Sequence, residues 1–141
     1  MVSSSGKAKV GLARLCTPMI WLLLGRKSKA VAASRKVRRE RSLVPPWYQG
    51  WYHRYLDYQC DRITGTELLQ VAGTCRPKLC EAHFVIGLRH LCAGDRAGAR
   101  DHFQQCADTR VFIYWDYMWA RAFLARLDQD STWPPWIRRR K

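Results

Sequence analysis

Asp95, Ala99, Phe103 and Cys106 have counterparts of like kind 34 residues earlier, at Asp61, Gly65, Leu69 and Ala72. Moving forward by the same step carries Ile86 and His90 onto Ala120 and Leu124. Around these positions the apolar residues recur at helical spacing. Leu79, Ala82, Ile86 and His90 form one stripe, widened by Phe84, Leu88 and Leu91, and Ala99, Phe103, Cys106 and Ala107 form a second. Between the stripes stands Ala93-Gly94-Asp95, with Gly94 suited to the left-handed position that ends a helix and Asp95 to capping the next. Thr64 and Glu67 supply a capping box one period earlier. Two helices joined by so short a turn lie antiparallel. A hairpin that recurs at a fixed period cannot bury its apolar face alone, so its copies stack. The expectation is an all-α fold, a short α-solenoid of antiparallel helical hairpins with about five helices over residues 46–137.

The stretch from Cys80 to Val111 resembles one tetratricopeptide repeat, with Ile86-Gly87, Gly94-Asp95, Ala99, Phe103 and Cys106 at the signature spacings of that family. The match spans roughly residues 47–127, and the wording is similar to uncharacterised bacterial members. The sequence departs from the pattern at His83 (Trp in the family), His90 (Tyr), Val111 (Pro) and His53, which stands where a small residue is expected. The resemblance implies a right-handed solenoid in which Gly87 and Ala99 let neighbouring helices approach and Phe103 fills the space between hairpins. It also implies a non-catalytic module that grips another protein or peptide on a concave face lined by the first helix of each hairpin. Transferred by register, that face is Arg54, Tyr58, Glu81, Phe84, Leu88, Trp115, Met118 and Ala122. So few repeats also suit self-association.

Charge divides the chain differently. Residues 1–45 hold 11 Lys/Arg and one acid, residues 46–137 hold ten of each sign, and residues 138–141 are Arg-Arg-Arg-Lys. The basic character is therefore in the tails, read as a leader over 1–45, disordered or loosely helical, and a short C-terminal tail over 138–141. The middle holds six of the seven tryptophans and five of the six cysteines, so the core is expected there. The apolar run 15–25 is too short for a bilayer, which needs about 20 apolar residues, so no transmembrane span is expected. With the basic residues around it, that run also reads as a targeting segment, the alternative to a cytoplasmic location. The cluster at 35–41, Arg-Lys-Val-Arg-Arg-Glu-Arg, attracts phosphates without selecting among them. Binding of nucleic acid or an anionic membrane surface through these tails is the alternative function.

Catalytic and metal chemistry find little footing. Gly94 and Gly98 lack the spacing and the Lys-Ser/Thr of a phosphate-binding loop, and they follow an amphipathic helix rather than a strand. Cys80 and His83, with Cys75, have zinc-like spacing, but Cys80, Cys92 and Cys106 read better as small apolar residues on helix faces. No metal or cofactor is expected. His83 and His90 lie two turns apart on one face and read as packing residues. Trp47, Trp51, Trp133 and Trp136 are expected to cover the apolar ends of the array.

Overall fold

A computed structural model describes residues 4–40 and 49–138, with side chains from Arg14 to Glu40 and from Gly50 onward. Among the described residues the chain is all-helical, with no strand. Its helices are α1 (Ser4–Leu23), α2 (Lys27–Arg39), α3 (Gln49–Gln59), α4 (Gly65–Ala72), α5 (Arg76–Cys92), α6 (Arg96–Asp108) and α7 (Trp115–Gln129). The expected five are α3 to α7; α1 and α2 are additional.

The turn between α5 and α6 forms for the reasons its residues suggest. Gly94 adopts φ +77°. The Asp95 amide donates to the His90 carbonyl at 2.9 Å and the Gly94 amide to Leu91 at 2.9 Å, closing the end of α5. The Asp95 carboxylate then accepts from the Gly98 amide at 3.0 Å and caps α6. At α4 both halves of the Thr64–Glu67 capping box are made. The register match between Asp61 and Asp95 does not carry over to roles, however. Asp61 sits at φ +61° and ends α3, as Gly94 ends α5, while Thr64 does the capping. The α3–α4 turn is longer, and α4 begins three residues later in the repeat than α6 does.

Residues 1–45 are not a loose leader where they are described. The run that is too short for a bilayer is long enough to bury. Leu15, Leu22, Ala30 and the polar Ser34 are all buried, and the first three belong to the same core as Tyr55, Val85, Phe103 and Phe123. Residue 45 therefore divides charge, not core. Gly25 at φ +73° turns α1 into α2, with the Arg26 amide donating to Trp21 and the Gly25 amide to Leu22, the same closure as at Gly94. Ser34 satisfies its hydroxyl by donating to the Ala30 carbonyl at 2.9 Å. α1 packs on α5, and α2 on α3.

The balanced charge of the middle has a structural use. Arg89 on α5 donates to the carbonyls of Tyr58 and Gln59 at 3.0 and 3.3 Å and pairs with Asp61, closing the end of α3. Arg96 on α6 does the same for α7, donating to Leu127 and Asp130 at 3.1 and 3.0 Å. Each places a cation where the helix dipole is negative and the last carbonyls lack partners.

α5 and α6 make the most intimate contact in the molecule, and Gly87 permits it. A Cβ there would lie 2.7 Å from the ring of Phe103, which is fully buried. Gly87→Ala is therefore expected to destabilise the protein. Overpacking of this kind costs about 1–3 kcal/mol, and the better helix propensity of Ala returns up to about 1 kcal/mol. Urea unfolding reads the difference as a lower midpoint; an unchanged or raised midpoint means the helices separate freely here.

Candidate partner-binding surface

The eight residues assigned to a concave face separate into two groups. Tyr58, Glu81, Phe84 and Leu88 are buried, whereas Arg54, Trp115, Met118 and Ala122 are exposed. Phe84 lies between Phe103 of α6 and Phe123 of α7, with ring centroids at 5.9 and 6.2 Å. Tyr58 is sealed by the Arg89 guanidinium, 5.1 Å from its ring centroid. Glu81 faces a buried polar group drawn from four helices: Cys16 of α1, Tyr52 and Tyr55 of α3, Cys80 beside it on α5, and Asp116 of α7. α1 packs on α5 and brings Cys16 to this group. Sequence reasoning missed this because it read α1 as a leader.

That buried group is electrostatically unusual. Burial pushes the Glu81 carboxyl up to about 8, and the nearby Asp116 adds to the shift. Burial likewise raises Asp116 to about 6. Glu81 Oε1, Trp51 Nε1 and the Tyr55 hydroxyl are buried without a hydrogen-bond partner among the described residues. At neutral pH the Glu81 carboxyl therefore keeps its proton, whereas Asp116, nearer 6, is mostly ionised. Among the described residues no three potential ligands converge on a metal position. Cys75 is exposed, whereas Cys80 is buried with its Sγ 3.6 Å from that of Cys106.

The histidines pack ring against ring, and His102 joins the two that sequence reasoning read as packing residues. His83 is buried, and its Nδ1 lies 3.0 Å from His102 Nδ1, so one ring donates and the other accepts. His90 stacks on His102 with centroids 5.2 Å apart, and His90 Nδ1 meets Asp95 Oδ2 at 2.8 Å. Burial, then His102, lowers His83 to about 4, which keeps it neutral near pH 7. The three rings are packing between α5 and α6. His102 was legible in principle, three residues after Ala99 and one before Phe103, on the flank of the α6 stripe.

The tryptophans expected at the ends divide as well. Trp51 and Trp133 are buried, with Trp133 against Phe123 at 5.4 Å. Trp136 is 53% exposed and donates its indole N–H to the Leu23 carbonyl at 2.8 Å, holding the C-terminal segment to the end of α1. Trp47 lies outside the described residues.

The exposed large apolar side chains are concentrated on one face of α7, with Ile20, Leu24, Val71 and Trp136 exposed elsewhere. Trp115, Met118, Trp119 and Ala122 fall at helical spacing on a single face, and Phe112 and Ile113 precede it in the turn. Trp115 is 69% exposed, Met118 55%, Phe112 63% and Ile113 86%. Large apolar side chains grouped in this way mark interaction surfaces more often than single exposed ones do. Among the described residues no helix is long and apolar enough to cross a membrane. Comparison with protein-family models, with curated proteins and with solved structures gives no match to this chain.

Proposed function

We propose that the chain is a non-catalytic interaction module of tetratricopeptide-repeat type, which docks a partner helix or peptide on the exposed face of α7. In this reading α3–α4 and α5–α6 are successive hairpins of a short right-handed solenoid, and α7 is the first helix of a third. The packing of α4 on α5 and of α6 on α7 supports it. The single observation that carries the docking site is the 34-residue register: Met118 and Ala122 of α7 correspond to Phe84 and Leu88 of α5. The α5 pair is buried under its neighbours, while the α7 pair is open. Among the described residues, 130–138 form no helix, and the exposed face of α7 is left uncovered by them. A partner helix would take the place that α6 holds on α5. Trp115 and Trp119 are the side chains most suited to anchor it, since Trp is enriched where binding energy concentrates.

The test is capture by the full chain against W115S and M118S variants. Both positions are exposed, so the variants are expected to melt like the wild type. A hot-spot position costs about 2 kcal/mol or more, roughly thirty-fold in affinity. Partners retained equally by wild type and both variants would remove α7 as the docking face.

A further inference from the structure

The basic cluster at 35–41 was read as a diffuse attractor of phosphates, but the fold gives it a shape. Arg35, Arg38 and Arg39 of α2 meet Arg62 of the α3–α4 turn around a cavity of about 380 Å³, within the size range of small-ligand sites. Distant parts of the chain supply the lining, so the cavity exists only in the folded protein.

One carboxylate lies under it. Asp57, 8% exposed, takes Arg38 Nε at 3.2 Å and Arg62 at 3.5 Å on Oδ1, and Arg54 at 3.7 Å on Oδ2. The other acids nearby are engaged elsewhere: Glu40 pairs with Arg14, and Asp61 with Arg89 and Lys27. Among the described residues neither Arg35 nor Arg39 has a carboxylate partner. Three guanidiniums, of Arg38, Arg54 and Arg62, therefore share one buried carboxylate, and Arg35 and Arg39 add two more positive charges at the cavity. Their field reaches the adjacent Cys60, whose thiol burial raises while Arg62, Arg35 and Arg38 oppose the rise. Arg35 and Arg39 are also an i,i+4 pair of like charge, which by itself weakens a helix.

We propose that this cavity binds a compact anion carrying two or more adjacent phosphate groups. Arginine suits that ligand because its planar fork donates two parallel hydrogen bonds to phosphate oxygens. Asp57 fixes Arg38 and Arg62 in advance, which lowers the cost of ordering them on binding. Arg35 and Arg39, without a carboxylate partner among the described residues, contact the ligand from the rim. The required chemistry is adjacent phosphates, which a free oligophosphate or a multiply phosphorylated lipid headgroup both present. This site is independent of the α7 face.

Calorimetric titration of the full chain with inorganic tripolyphosphate tests it. One anion per chain is expected, with a rise in melting temperature on binding. Arg35→Gln combined with Arg39→Gln should weaken binding by about ten-fold or more, because two charge-assisted contacts are lost. Both side chains are exposed, so the fold should survive; Arg62→Gln provides a second variant on a different element. Because the arginines of α2 and of the α3–α4 turn carry the binding, removal of residues 138–141 should leave the affinity within about two-fold. Vesicles of phosphatidylcholine with and without phosphatidylinositol bisphosphate separate the two sources. Binding to the former that tripolyphosphate displaces identifies a headgroup; binding of tripolyphosphate alone identifies a free ligand. The proposal is overturned by absent tripolyphosphate binding, or by equal binding in the Arg35/Arg39 variant. It is overturned too by a single-stranded oligonucleotide that binds more tightly and loses affinity equally when 138–141 are removed, since that is diffuse attraction.

Discussion

Phe103→Ala is expected to destabilise the protein by about 3–5 kcal/mol, the usual cost of deleting a fully buried aromatic ring. Against a total stability of about 5–15 kcal/mol for a domain of this kind, that loss brings the folded state near its limit. The size of the effect follows from where the ring sits. Phe103 is on α6, is fully buried, fits against Gly87 of α5, and lies within 5.9 Å of Phe84 and 5.5 Å of Phe123. Removing it opens the junction of α5, α6 and α7 together. Gly87 has no side chain to fill the space, so the cavity cannot close from that side. A coupled test sharpens the point. The three atoms nearest a Cβ at Gly87→Ala all belong to the Phe103 ring, so its penalty should shrink once that ring is gone. Gly87→Ala and Phe103→Ala combined should therefore cost less than the sum of the two, as contacting residues do. Strict additivity in urea unfolding would show that the two do not meet.

The pH dependence of stability between about 6.5 and 8 should be set by Glu81, and Glu81→Gln should abolish it. The folded protein holds a proton on Glu81 up to about pH 8, whereas the unfolded chain releases it near 4.5. A raised carboxyl pKa means that the native state binds more protons in that window, so stability falls as pH rises through it. Asp116, raised to about 6, acts in the same direction but mostly at lower pH. His83, depressed to about 4, acts oppositely: its contribution is complete above 6.5 and is lost as pH falls toward 4. Above 6.5, therefore, the carboxyl of Glu81 stands apart from both. One pKa unit is worth about 1.4 kcal/mol, so the interval from 6.5 to 8 costs the wild type about 2 kcal/mol. Glutamine keeps the shape and carries no charge, so the variant should be nearly flat there and more stable than wild type at pH 8. Comparing the two removes contributions from Cys80, whose pKa is lowered by the Cys106 thiol and which both proteins share. Parallel pH profiles for wild type and variant would mean that Glu81 is charged and solvated in the folded state.

Local chemistry was legible where cause and effect lie within a few residues. The closure of α5 at Gly94, the cap at Asp95 and the Thr64–Glu67 box follow from side chains that act on their own backbone. That Gly87 admits a close approach was implied by the resemblance; that Phe103 of the same hairpin is what approaches it was decided by the packing. The signal for α1 and α2 was also present: an apolar run followed by Gly25, as Leu91 and Cys92 precede Gly94. It was obscured by the surrounding basic residues.

The sequence by itself determined that the middle of the chain is helical, that Gly94-Asp95 and Thr64 mark helix ends, and which stripes of α5 and α6 leave water, because periodicity and capping are properties of short segments. Only the tertiary structure decided what each stripe meets. It set α1 against α5, buried Glu81 and Phe84 while leaving Trp115 and Met118 open, gathered His102 with His83 and His90, and carried Arg62 to the arginines of α2. The physical reason is that burial of apolar area has no direction: a stripe specifies that it must be covered, and the partner is selected by shape and charge among segments far apart in the chain.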